Sequence, residues 1–169
     1  MNKILKVIPV IILALGLIMT GCSTGSDQGP QIGNLAPDFQ LYNLEGQTVS
    51  LSDLRGKPML INFWATRCPA CVSEMPYIQA VYDEWSDKGL VVLAISIGES
   101  HSQVENFMES QGLSLPVLLD TKQDIAQKYN IQYIPTTFFI DKDSIIQDKI
   151  IGPFQNKTQI ENRLSKIMP

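Results

Sequence analysis

Strands and helices alternate along this chain in the order of an α/β sandwich with a central mixed sheet. Three observations predict it. "MLINFWA" (59–65) and "LVVLAISI" (90–97) are nearly continuous apolar runs of strand length, the pattern of strands buried on both faces. Between them, residues 69–88 carry Met75, Ile78, Val81, Tyr82 and Trp85 on one helical stripe, completing a strand–helix–strand unit. A hairpin and a helix then close the chain.

Each element has a local reason. "FQLYN" (39–43) and "TVSL" (48–51) alternate apolar and polar around Glu45-Gly46, which predicts a hairpin ahead of the sandwich. The helix over 69–88 starts on Pro69 and stops at Gly89, with Pro76 removing one backbone bond inside it and expected to kink it. Residues 102–111 form a second helix ended by Gly112, and His101 with the "GES" before it supplies loop and cap. "PVLLD" is a short extended piece and 124–129 a short helix. "TTFFID" (136–141) and "IIQDKII" (145–151) pair across Lys142-Asp143. Asn156 with Gln159 reads as a capping box opening a last helix to residue 167.

Upstream of these elements the chain has a different character. Residues 1–21 begin with Lys3 and Lys6, run apolar from Val7 to Met19 and end on small residues, the layout of a secretory signal peptide. The apolar run is shorter than the roughly 18 residues a stable transmembrane helix needs. "MTGC" resembles a bacterial lipobox, with Met19 where leucine is usual. Cys22 is therefore the expected lipid attachment site, anchoring the protein to the bilayer, with simple secretion or an uncleaved anchor as the alternatives. Residues 22–34, rich in Ser, Gly, Asp and Gln, read as a flexible tether, and 35–169 as the folded domain.

Bulk properties narrow the function. The chain has 169 residues, 44% of them hydrophobic, enough for one domain with a continuous core and no need of disulfide staples. A formal net charge of −4 with no Lys/Arg run excludes a nucleic-acid footprint. Cleavage before Cys22 removes two lysines and no acid, making the domain more acidic still.

Cysteine usage carries the chemistry. Of three cysteines, the lipid consumes Cys22, leaving Cys68 and Cys71 in "CPAC". A bridge across two intervening residues restricts the unfolded chain very little, so stabilisation is a poor reason for the pair. Tetrahedral zinc would need two further ligands, and the only histidine, His101, lies far downstream. Redox exchange is the favoured reading of the three. Cys68 falls at or just before a helix N-terminus with Pro69 at its first position, where free N–H groups and the helix dipole favour a thiolate. Cys71, nearly one turn deeper, can attack the Cys68 sulfur and resolve a mixed disulfide.

"FWATRCPAC" after a buried strand, "IPTTFFID" further on and Gly152 past the last strand together resemble a thioredoxin fold. The segment "IGNLAPDFQLYNLEGQTVSLSDLRGKPMLINFWA" resembles the N-terminal extension shared by ResA/TlpA-like thiol–disulfide oxidoreductases and peroxiredoxins. With the lipobox, CPAC and "SEMP", the chain is similar to the membrane-tethered ResA/TlpA-like branch. The resemblance implies a three-layer sandwich with helices on both faces of the sheet. It implies a place on the extracytoplasmic face of a bacterial membrane; a monomer with no cofactor or metal is expected. Its partners would be disulfide-containing clients, apocytochrome c among them, and an integral-membrane electron donor. Glu74 matches a family glutamate that would exchange a proton with Cys71, against the plain alternative of a solvated glutamate. Pro135 matches the cis-proline that lies against the CxxC. Arg67 departs from the tryptophan usual before the first cysteine; it can stabilise the Cys68 thiolate, bind a substrate carboxylate, or point to solvent.

Two rivals share the fold. A peroxiredoxin-like thiol peroxidase needs a Pro-x-x-x-Thr-x-x-Cys frame that this stretch does not supply. A copper-delivering protein wants Cys-x-x-x-Cys and a distant histidine; here the spacing is one short and His101 is poorly placed.

Overall fold

The computed structural model describes residues 30–168. The leader over 1–21, Cys22 and the tether up to residue 29 lie outside the described residues. Among the described residues seven strands form one sheet: β1 (Gln40–Asn43), β2 (Thr48–Ser50), β3 (Met59–Trp64), β4 (Val91–Ile97), β5 (Val117–Asp120), β6 (Thr136–Ile140) and β7 (Ile146–Ile151). Helices α1 (Pro69–Trp85), α2 (His101–Gln111), α3 (Asp124–Lys128) and α4 (Lys157–Leu164) cover it.

The strand order is β2-β1-β5-β4-β3-β6-β7. β3–β4 and β4–β5 are parallel, which requires crossovers, and α1 and α2 provide them. The other pairs are antiparallel, so the sheet is mixed. The β1–β2 hairpin extends the sheet by pairing Tyr42 with Leu119 of β5.

Strand periodicity of two sorts the core into two halves. Leu60 and Trp64 of β3, with Val92, Ala94 and Phe139, face α1, α2 and α4 through Met75, Ile78, Val104 and Ile160. Met59, Ile61 and Phe63, with Leu93, Ile95 and Phe138, face Ala126, Tyr129 and the N-terminal residues Ala36 and Phe39. Helices thus lie on both faces, and β3 is buried along its whole length.

Some details depart from the sequence reading. The end of the expected tether is packed: Gly33 N–H donates to Ile146 O at 2.8 Å, Ile146 N–H to Asn34 O at 3.0 Å, and Leu35 bridges Ile145. A strand edge has backbone groups to satisfy, and a polar segment can do so with its own backbone, whatever its side chains. The last helix is capped by Asn156, which accepts from Gln159 N–H, but the Gln159 carbonyl oxygen takes the N–H of Gln155 and not that of Asn156. That helix closes at Leu164, short of 167. α1 runs unbroken through the exposed Pro76.

Tyr129 ties the N-terminal segment down. Its ring packs against Phe63 and Phe138, with centroids 5.1 and 5.2 Å away, and its hydroxyl donates to Pro37 O at 2.7 Å. Burial, aided by the Asp38 charge, holds the phenol protonated well above its ordinary range, so the donor is always present. Tyr129→Phe is expected to lower unfolding stability by about 1–2 kcal/mol through the orphaned Pro37 carbonyl. Urea titration should show a lower midpoint at unchanged slope.

Candidate active site

β3, an interior strand, ends at Trp64, and α1 starts five residues later at Pro69. Cys68 is the N-cap of α1 in extended conformation, with Pro69 at the first helical position. Proline fits there because its missing N–H would have had no helical partner. The Cys71 N–H donates to Cys68 Sγ at 3.2 Å, so the cysteine sulfur does the work of a capping oxygen. The two sulfurs are joined as a disulfide, with Cα atoms 5.2 Å apart. Cys71 is fully buried, whereas Cys68 is half-exposed. Only one of the two can meet another protein.

The Ile134–Pro135 peptide bond is cis. It brings Ile134 O to 3.8 Å from Cys68 Sγ. This loop is braced from both sides: Gly152 N–H donates to Pro135 O at 2.9 Å, and the Thr136 hydroxyl to Tyr133 O at 2.7 Å. Tyr133, two residues before Pro135, is 71% exposed.

Glu74 lies three residues beyond Cys71 on the same buried face of α1. Its Oε1 accepts from Asn62 Nδ2 at 2.8 Å and its Oε2 from Phe154 N–H at 2.9 Å. Burial pushes its pKa up to about 7, against the downward pull of the Phe154 and Asn62 hydrogen bonds. It is therefore buried and not a solvated glutamate. Asn62 also donates to Thr137 Oγ1 at 2.9 Å, which links β3, β6 and α1 beneath the disulfide.

Arg67 folds back over the end of β4. Both Nη atoms lie 3.3 Å from Ile97 O, and Nη1 is 3.2 Å from Glu99 Oε1. Glu99 is a second buried carboxylate. It accepts from Thr66 N–H at 2.9 Å, from the Thr66 hydroxyl at 2.7 Å and from the Ser96 hydroxyl at 2.8 Å. Burial raises its pKa, but these donors and the Arg67 charge outweigh that and hold it below the ordinary carboxylate range.

Three participants escaped the sequence reading: Asn62, Thr137 and Glu99. For Asn62 a signal existed, an amide in the middle of an otherwise apolar buried strand, since such a group needs partners. Glu99 sat in a stretch read only as loop and cap. Ser100 does cap α2, in a full capping box with Gln103, and His101 opens that helix. Among the described residues no cluster of three or more metal-ligating side chains occurs.

Residues 32–149 match the AhpC/TSA family. A peroxidase frame counted back from Cys68 would place threonine and proline where Ala65 and Ile61 stand, both fully buried. Thiol–disulfide oxidoreductase ResA of Bacillus thuringiensis (strain Al Hakam) is 39% identical, over 99% of this chain and 98% of its own length. The protein of that name from Bacillus subtilis (strain 168) is 33% identical, over 95% and 89%. Among solved structures, a thiol:disulfide interchange protein of the thioredoxin family from Chlorobium tepidum TLS superposes with a TM-score of 0.72 at 30% identity. It covers 80% of this chain and 96% of its own. StoA from Bacillus subtilis gives 0.66 at 26% identity, over 75% and 95%. With a half-exposed sulfur and a buried one sharing a helix N-terminus against a cis-proline, the chain belongs to the ResA-like thiol–disulfide oxidoreductases of the thioredoxin fold.

Proposed function

We propose that the protein is held at the extracytoplasmic face of a bacterial membrane by lipid on Cys22 and reduces disulfides of client proteins there. An integral-membrane donor would return it to the dithiol form. Apocytochrome c is the client class that the family resemblance favours. The observation that carries the reading is the asymmetry of the pair, Cys68 reachable and Cys71 buried one turn below.

The chemistry follows from that asymmetry. In the dithiol form the Cys68 thiolate accepts the Cys71 N–H and attacks one sulfur of the client disulfide. The client S–S bond breaks, a Cys68–client disulfide forms, and the first client thiolate departs to take a proton from water. Cys71 then gives its proton to the Glu74 carboxylate and attacks Cys68 Sγ. The mixed disulfide breaks, the second client thiolate leaves, and two electrons have passed from the protein to the client. Glu74 suits this role because its pKa of about 7 lets it hold or release a proton near neutrality. The cis-Pro135 loop, with Ile134 O beside the reactive sulfur, gives an extended client backbone an edge to lie against.

Three outcomes test this account. Cys68→Ser should abolish reduction of protein disulfides, whereas Cys71→Ser should accumulate a covalent client adduct visible on non-reducing gels. Full turnover by Cys71→Ser would overturn the two-thiol mechanism. For Glu74 the sign is fixed by its raised pKa. Stability is fully present below about 4.5, the unfolded value, and is lost as pH rises to about 7, the folded one. The loss amounts to about 3 kcal/mol by linkage. Glu74→Gln should flatten the pH dependence of unfolding between those values and slow resolution of the mixed disulfide. Finally, Cys22→Ala should move the protein from the membrane fraction to the soluble fraction, and retention in the membrane would remove the lipid anchor.

A further inference from the structure

We propose that Arg67 is a specificity-determining residue that selects clients carrying an aspartate or glutamate within one or two residues of the disulfide cysteine. The inference rests on the disulfide-reductase reading and adds a client chemistry to it.

The argument starts from how the guanidinium is held. Its end edge, Nη1 and Nη2, is spent on Ile97 O, 3.3 Å from each nitrogen. Nη1 is held again by Glu99 at 3.2 Å. Arginine presents its five donors in a rigid planar fork, so fixing the end edge also fixes the side edge, Nε–H with the outer N–H of Nη2. That side edge has no hydrogen-bond partner among the described residues, and the side chain is 58% exposed. Two parallel N–H groups at fixed spacing match the two oxygens of a carboxylate.

Glu99 does not cancel this preference. Its charge is buried, with the side chain 2% exposed, and is spread over Thr66 and Ser96 donors as well as Arg67. The half of the ion pair that meets solvent is the cation. It stands on the residue next to Cys68, so a client carboxylate beside the reacting cysteine finds a solvent-facing cation there.

The ground beside Arg67 suits a short extended segment. Ile97, whose carbonyl anchors the guanidinium, also lines a groove of about 180 Å³ with Ala126, Ile131, Tyr133 and Ile134. The lining therefore includes both Ile97, which anchors the arginine, and Ile134, whose carbonyl lies 3.8 Å from Cys68 Sγ. A client whose cysteine reaches Cys68 passes its neighbouring residues over this rim. At about 3.3 Å of reach per residue, a carboxylate one or two positions away can meet the fork.

The test uses two disulfide-linked peptides that differ only by Glu or Gln next to the cysteine. Second-order rates of reduction by the reduced full chain are each divided by the rate with dithiothreitol. The Glu/Gln ratio should be about fivefold for the native chain, the worth of a good exposed ion pair. It should collapse to near one in Arg67→Gln and fall in between for Arg67→Lys, which keeps the charge and loses the fork. A native ratio near one, or a ratio that Arg67→Gln leaves unchanged, overturns the proposal. Reduction of both peptides at equal rates sinks the arginine inference alone, whereas reduction of neither sinks the reductase reading with it.

Discussion

β3 is buried on both faces and runs, within five residues, into the first turn of α1. Everything at the site depends on that junction. A strand in the middle of a mixed sheet cannot shift its register without turning its whole apolar set onto the wrong faces. The pairings Met59↔Val91 through Trp64↔Ser96 on one side and Met59↔Ile140 through Phe63↔Thr136 on the other therefore fix where the strand ends. The helix N-terminus is then set in space, and with it the Cys68 sulfur. The same strand carries Asn62 on the α1 face, so the register that positions the sulfur also positions the amide that holds Glu74.

Two buried glutamates frame this junction, and their proton affinities are shifted in opposite directions. Glu74 has one neutral donor on each oxygen, too few to offset desolvation, so its proton affinity rises. Glu99 has the Thr66 amide, two hydroxyls and a guanidinium, and stays ionised. Glu74 also lies deeper in the protein, so desolvation weighs more on it, while Glu99 gathers more donors and a neighbouring charge. The first is suited to proton exchange inside the protein. The second is suited to hold a cation still at its surface.

Legibility in the sequence varied with the range of the interaction concerned. The β1–β2 hairpin, strands β3 and β4, α1 and the β6–β7 hairpin follow from patterns within a few residues, and the structure has them. The cysteine pair and the proline of "IPTTFFID" were also visible, being short motifs with a mechanism. The pairing of Gly33 and Asn34 with Ile146 was not legible, because a Ser/Gly/Gln-rich composition says little about backbone pairing to a strand edge more than a hundred residues away. Asn62 and Thr137 were passed over because each sits in an apolar strand, and only pairing of β3 with β6 brings them together.

What the sequence determined by itself was the class of fold, the sulfur pair and its place at a helix start, since periodicity and capping are local. It also supplied a glutamate one turn further along that helix. Whether that glutamate met water or the core was decided by the tertiary structure, through Asn62 from β3 and the Phe154 amide ahead of α4. Tertiary structure likewise decided that Arg67 lies back on β4 with one edge engaged and the other open. The physical reason is the same in both cases. Burial and hydrogen-bond partners come from chain segments distant in sequence, and those set the charge state and direction of a side chain that its neighbours leave open.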